Sequence, residues 1–208
     1  MRKIILTLMV LGAGLSAIAQ NTYGLNDSNA RANKRQQAMS AWHKDMAEFR
    51  ARSAQERQLN ALADSLAYVQ GKAALTNRDF VLQATSVTFK NGETAFVNST
   101  TNFISLKGNK AVVQISPSNF ASGPNGVGGV TVEGSVSGLE IKTDKKGHTT
   151  LTMNVMGIGI NAQVEVYMYP GTNNATATVY PNFNSNTIWL QGTLVPYENS
   201  NVFEGNSL

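Results

Sequence analysis

A mainly β fold is predicted, an antiparallel meander curled into a barrel or half-barrel behind an N-terminal helix. Three observations predict it. From Phe80 onward apolar and polar residues alternate with period two. Turn sequences rich in Gly and Asn separate the alternating runs. Ahead of them, no Gly or Pro interrupts the chain between Asn26 and Gln70, and apolar residues there step by three and four. Period two marks half-buried strands, and steps of three and four mark one face of a helix.

The chain has 208 residues, 42% hydrophobic and only 14% charged, with 18 glycines and no cysteine. That is enough for one domain with a core of its own. The absence of cysteine excludes a disulfide scaffold, a thiol nucleophile and a thiolate metal site. Residues 1–19 read as a signal peptide. Arg2 and Lys3 precede an apolar run from Ile4 to Ile18, and Ala17-Ile18-Ala19 is a small-x-small cleavage site before Gln20. The run is shorter than the ~20 residues a membrane span needs. Without cysteine there is no lipoprotein anchor, so a periplasmic or secreted protein is expected.

Charge divides the remainder. Asp27–Arg78 carries nine Lys/Arg and five Asp/Glu, whereas Asp79–Leu208 carries six and eight. The segment 20–55 is therefore set apart as a basic polar or helical extension. Residues 56–200 are expected to form a helix plus β-meander domain, with 201–208 as a tail. A solvated helix face accounts for the basic residues without nucleic acid, and contact with an anionic membrane surface is the functional alternative. Residues 20–38 are polar and expected to be disordered or frayed. Met39, Trp42, Met46 and Phe49 form one apolar stripe, and Leu59, Leu62, Leu66, Val69 and Ala73 form a second. The phase slips between them, so one bent helix or two are expected, stopping at Gly71 or Asn77. The second stripe is expected to pack on the following domain.

Strands are expected at Phe80–Phe89, Phe103–Lys107, Lys110–Ser116, Gly129–Lys142, His148–Met156, Ile158–Met168, Ala175–Tyr180 and Thr187–Val195. Ile158, Ile160, Ala162, Val164, Val166 and Met168 share the core face, beside Leu151, Met153 and Val155. Asn161, Gln163, Glu165 and Tyr167 take the opposite face. In the long fourth strand Val130, Val132 and Val136 have one parity and Leu139 and Ile141 the other, so Gly138 is expected at a β-bulge. Lys107-Gly108-Asn109-Lys110 suits a two-residue hairpin, and Asn91-Gly92, Asp144–Gly147, Pro170–Asn174 and Asn182–Asn186 suit tight turns. Strands so joined are antiparallel, and about eight can close into a barrel.

Asn102-Phe103-Ile104-Ser105-Leu106-Lys107-Gly108, then Ala111-Val112-Val113-Gln114, then the glycine segment Gly123–Gly134 form a signature. It resembles the secreted Bacteroidetes proteins gathered as domain of unknown function family 4251, over about Leu59–Tyr197. The resemblance implies an exported protein and brings no catalytic residues.

The glycine segment fails as a phosphate loop. Gly123 and Gly128 have P-loop spacing, but Gly129 and Val130 stand where Lys and Ser/Thr are needed. A dinucleotide fingerprint from Gly126 fails at Thr131, and Val130-Thr131-Val132 opens a strand where either motif needs a helix. Gly123, Pro124, Asn125, Gly126, Gly128 and Gly129 are instead a candidate rim loop. Asn161, Gln163, Glu165 and Tyr167 are a candidate polar row, ligand-facing if their side of the sheet is enclosed. Glu133 and Glu165 would pair as a glycosidase does only if that face lined the barrel. His43 and His148 do not suggest a metal site. Tyr167, Tyr169, Tyr180, Trp189 and Tyr197 cluster in the last strands, where sugar stacking competes with cross-strand packing.

No catalytic constellation, cofactor site or metal site is predicted. The expected role is non-catalytic binding of a small amphipathic ligand or an envelope partner. A purely structural envelope protein is the alternative, and a hydrolase of envelope or glycan substrates is less favoured. An enclosed apolar cavity would point to a ligand, and a filled interior with an exposed apolar patch to a protein partner.

Overall fold

In a computed structural model, residues 24–116, 129–157, 161–182 and 186–205 are described. They form one helix, α1 (Gly24–Thr76), and nine strands: β1 (Asp79–Phe89), β2 (Thr94–Phe96), β3 (Phe103–Lys107), β4 (Lys110–Ile115), β5 (Val130–Thr143), β6 (Thr149–Gly157), β7 (Asn161–Met168), β8 (Asn174–Pro181) and β9 (Ile188–Pro196). The chain divides into two compact units, residues 1–55 and 56–208.

In the first unit, residues 24–55 are helical, so of the two expectations for 20–38, disorder is corrected from Gly24 onward. Nothing there breaks a helix, and the polar residues Asn26–Gln37 are tolerated in it. Met39, Trp42 and Phe49 are exposed. The signal-peptide residues 1–19 lie outside the described residues.

The second unit is a closed barrel. Each of β3 to β9 pairs antiparallel with its neighbour in sequence, and β1 pairs with both β3 and β9. Eight strands thus close the cylinder, and the short β2, not foreseen in the sequence, hangs on the end of β1. Alternation decides which way each residue points. Leu151, Met153 and Val155 face inward beside Val164, Val166 and Met168, on strands paired Leu151↔Val166 and Met153↔Val164. Phe80, Leu82, Ile104, Leu106, Leu190 and Leu194 complete a core that fills the barrel. Ile158 and Ile160 lie outside the described residues.

Two irregularities bend the strands. Pairing of β5 with β6 shifts between Ser137 and Glu140, and Gly138 sits in the shift at φ 59°. The extra residue reverses the inward parity from Val136 to Ile141, as the sequence predicts. A second bulge lies between Ala84 and Ser86 of β1, opposite Gly192 of β9.

The last turns of α1 close the barrel end where β1 begins and β7 and β9 finish. Leu75 and Ala74 enter the core cluster. A Cβ on Gly71 would stand 3.2 Å from Met168 Sδ, and the Tyr68 hydroxyl donates to the Gly147 carbonyl at 2.7 Å. The expected packing stripe is corrected: Leu59, Leu62, Leu66 and Val69 are each more than half exposed, and Tyr68, Gly71 and Leu75 touch the barrel instead. Both sets obey helical spacing. The docked set is the one that carries Gly71, where the helix comes close to Met168 and Leu194 at the barrel end.

Residues 197–205 cross the outside of the barrel as a strap. Val195, Tyr197 and Val202 pack on Val81, Phe103 and Val112, which face outward. Gln114, fully buried beneath the strap, donates to the carbonyls of Thr101 and Phe203 and accepts from the Thr131 hydroxyl and the Gly205 amide. Residues 201–205 are therefore part of the fold and not a loose tail.

Candidate functional site

The strap covers the wall built from β1, β3 and β4. Among the described residues of this unit nothing comparable covers the wall built from β6 to β9, and the candidate site lies on it. Outward positions there form rows across the strands. One row is Thr150, Tyr167, Thr176 and Gln191; the next is Thr152, Glu165, Thr178 and Trp189; a third is Asn154, Gln163 and Tyr180. The polar row Asn161, Gln163, Glu165 and Tyr167 shares the outward face of β7, on the barrel exterior, and alternates with the buried Ala162, Val164, Val166 and Met168.

Three aromatic rings stand out from this wall: Tyr169 is 42% exposed, Tyr180 41% and Trp189 42%. Tyr169 borders a cleft of about 280 Å³ with Thr85, Asn174, Ala175, Gln191, Gly192 and Thr193. Thr85 reaches it because the β1 bulge leaves that residue without a partner in β9, and its hydroxyl donates to the Gln191 carbonyl at 3.2 Å. Gly192 makes the close approach of β1 and β9 sterically feasible, since a Cβ there would run into the Gln83 carbonyl.

The Tyr169 ring is held from one side by a ladder. Tyr167 meets it edge-on at 5.0 Å, and the His148 ring stacks on Tyr167 at 5.3 Å. Asp144 anchors His148 through a 2.8 Å contact from its carboxylate to Nδ1, and accepts the amides of Lys146 and His148. The hydrogen bond to His148, then the two amide bonds, holds the Asp144 carboxyl below its ordinary range despite some desolvation. Desolvation among these groups, with the nearby Asp144 charge, pushes the Tyr167 phenol up. The sequence reading set the two runs side by side but did not connect His148 with the aromatic cluster. What it lacked was the register of β6 on β7, which sets Thr149 opposite Met168.

Other candidates are dispersed. Glu133 bonds Lys110 at 2.8 Å on the strap side, and this bond raises the Lys110 pKa. Glu204 lies beside the pair. Desolvation there lifts the Glu204 carboxyl above its usual value; Lys110 opposes this and Glu133 adds to it. Glu165 belongs to the exposed wall, where its row continues through Thr152 to Glu140, so Glu133 and Glu165 do not face each other. Among the described residues no group of three or more His, Asp or Glu side chains gathers as metal ligands. Of the candidate rim loop, Gly123, Pro124, Asn125, Gly126 and Gly128 lie outside the described residues. Gly129 is described: it has φ 68°, and its bare Cα lies against the Ile115 carbonyl.

An eight-stranded antiparallel barrel with a helix over one end, an apolar core and a polar, aromatic outer wall is a small β-barrel domain. The chain belongs to the DUF4251 family, a domain of unknown function, whose family model matches residues 63–194. A crystal structure of a DUF4251 family protein from Bacteroides eggerthii DSM 20697 is similar to it, at 46% sequence identity and a TM-score of 0.60, covering 69% of this chain and 96% of that chain. No curated protein matches the chain.

Proposed function

We propose that this is an exported, non-catalytic binding protein of the cell envelope, which meets its ligand or partner on the exposed outer wall of the barrel. The observation that carries the reading is the contrast between inside and outside. The interior is filled by Leu, Val, Met and Phe side chains, whereas the β6–β9 wall presents Tyr169, Tyr180 and Trp189 among hydroxyl and amide groups around a cleft. Among the described residues the inward side chains pack as one buried cluster, which favours binding outside over carriage inside, as in larger or emptier barrels. The wall is also unlike the lipid-facing surface of a membrane barrel, which is apolar outside: its outward rows are mostly Thr, Asn, Gln and Glu. Among the described residues no helix is long and apolar enough to cross a membrane. Export is supported by the N-terminal basic pair, apolar run and Ala17-Ile18-Ala19 site.

Hydroxyl-radical footprinting tests the reading. Protein labelled in its own envelope extract is compared with purified protein. Tyr169, Tyr180 and Trp189 are expected to be protected in the extract, while Phe96 and Phe203 label equally in both. Equal labelling of the three wall rings in both samples would refute outer-wall binding. N-terminal sequencing of the exported protein is expected to begin at Gln20.

A further inference from the structure

We infer that the cleft beside Tyr169 is a saccharide subsite, in which the face of a neutral sugar ring lies on Tyr169 and its hydroxyls are read by Thr85, Asn174, Gln191 and Thr193. This deepens the outer-wall reading and rests on it.

Three features of the cleft point to that chemistry. Its lining holds no charged side chain: two hydroxyls and two amides surround one phenol ring, with Ala175 and Gly192 leaving room between them. Hydroxyls and carboxamides each donate and accept, which matches a polyol, whose every hydroxyl does both. An anionic or cationic ligand finds no counter-charge in the lining. Second, the apolar surface is a ring face of about the breadth of a sugar ring. The C–H face of a pyranose is its complement, since sugars are amphipathic in the same sense as Tyr and Trp. Third, Tyr169 is held before any ligand arrives. Tyr167, His148 and Asp144 brace it in sequence, so little side-chain freedom is lost on binding. At about 280 Å³ the cleft falls just below the usual ligand-site volumes, roughly 300–1,000 Å³, and suits one ring of a chain more than a large compact ligand.

The wall offers a continuation. From Gln191 the next outward residue of β9 is Trp189, about 7 Å further along the strand, and Tyr180 projects from neighbouring β8. Both are exposed, and the outward positions of β8 and β9 that lead to them from the cleft, Thr176, Thr178 and Gln191, are again uncharged. An oligosaccharide that starts on Tyr169 and follows β9 therefore meets a second ring further along the same wall.

The test is isothermal titration of the full exported chain with tetrasaccharides of glucose, mannose, galactose and N-acetylglucosamine, alongside a tetragalacturonate and a fatty acid. At least one neutral tetrasaccharide is expected to bind, with affinity at least tenfold weaker in Tyr169→Ala and retained within about threefold in Tyr169→Phe. Gln191→Ala, a change at an exposed side chain, is expected to weaken binding several-fold with an unchanged melting temperature, so the result does not depend on Tyr169→Ala folding well. Trp189 fluorescence should shift with the tetrasaccharide more than with its monosaccharide. Failure of every neutral sugar to bind, or binding that Tyr169→Ala and Gln191→Ala leave unchanged, overturns the inference. Binding of the uronate or the fatty acid alone, abolished by Tyr169→Ala, overturns the saccharide class and leaves the outer-wall reading standing. If no compound binds and the wall rings also go unprotected in the envelope extract, both are overturned.

Discussion

Val164, Glu165 and Val166 are consecutive, yet the two valines lie wholly inside the barrel and Glu165 on its outer wall. Val164→Ala or Val166→Ala is expected to cost about 1–3 kcal/mol through lost burial and a residual cavity. Glu165→Ala is expected to stay within about 0.5 kcal/mol; urea melts of the three variants measure the difference. Gln114 is the polar counterpart. Its amide satisfies two carbonyls and its oxygen accepts two donors, all under the strap. Gln114→Ala strands these groups and should cost about 2–4 kcal/mol, with Phe203 becoming more accessible to labelling. The alternation of β7 was plain in the sequence, so its inward and outward residues were legible. Gln114 was not, since a Gln in a β-branched strand reads as a solvent-facing residue until the strap from ninety residues later covers it.

At the scale of elements, α1 separates periodicity from packing. Leu62→Ala and Leu66→Ala are expected to change stability by no more than about 0.5 kcal/mol, whereas Leu75→Ala should cost about 2–5 kcal/mol, read by thermal melting. Helical spacing identified α1 and two possible faces but not the docked one. That choice depends on how near the helix axis comes to Met168 and Leu194, and Gly71 decides it. The β5–β6 turn carries a pH dependence. Because the folded Asp144 pKa is depressed, its contribution is present above the unfolded aspartate value and is lost as pH falls through the depressed folded value. NMR titration should show His148 and Tyr167 ring shifts with a midpoint below that of an ordinary aspartate, and Asp144→Asn should abolish the step. On the strap the sign is opposite. The raised Glu204 pKa favours the fold below the unfolded glutamate value, and this contribution is lost as pH rises through the folded value. The protection factor of the Gly205 amide, its exchange corrected for the intrinsic pH dependence, should therefore rise on mild acidification, and Glu204→Gln should remove that rise.

At the scale of the molecule, the meander and its eight main strands were readable because each hairpin is local and carries its own turn chemistry. Closure was left open between barrel and half-barrel, since no local sequence states that β1 will meet β9. The cleft was equally hidden. Its walls come from Thr85, Tyr169 and Gln191, which only that closure brings together. Gly192→Ala, which drives a methyl into β1 at the seam, is expected to destabilise the barrel by more than about 3 kcal/mol, or to prevent folding, as judged by loss of a cooperative melt. The seam also orders events in time. Phe80 pairs with Pro196, the first strand with the last, and the strap that buries Gln114 follows later still. A chain leaving a ribosome or a translocation pore cannot complete its cylinder until β9 has emerged. It stays threadable through most of its passage and locks only at the end.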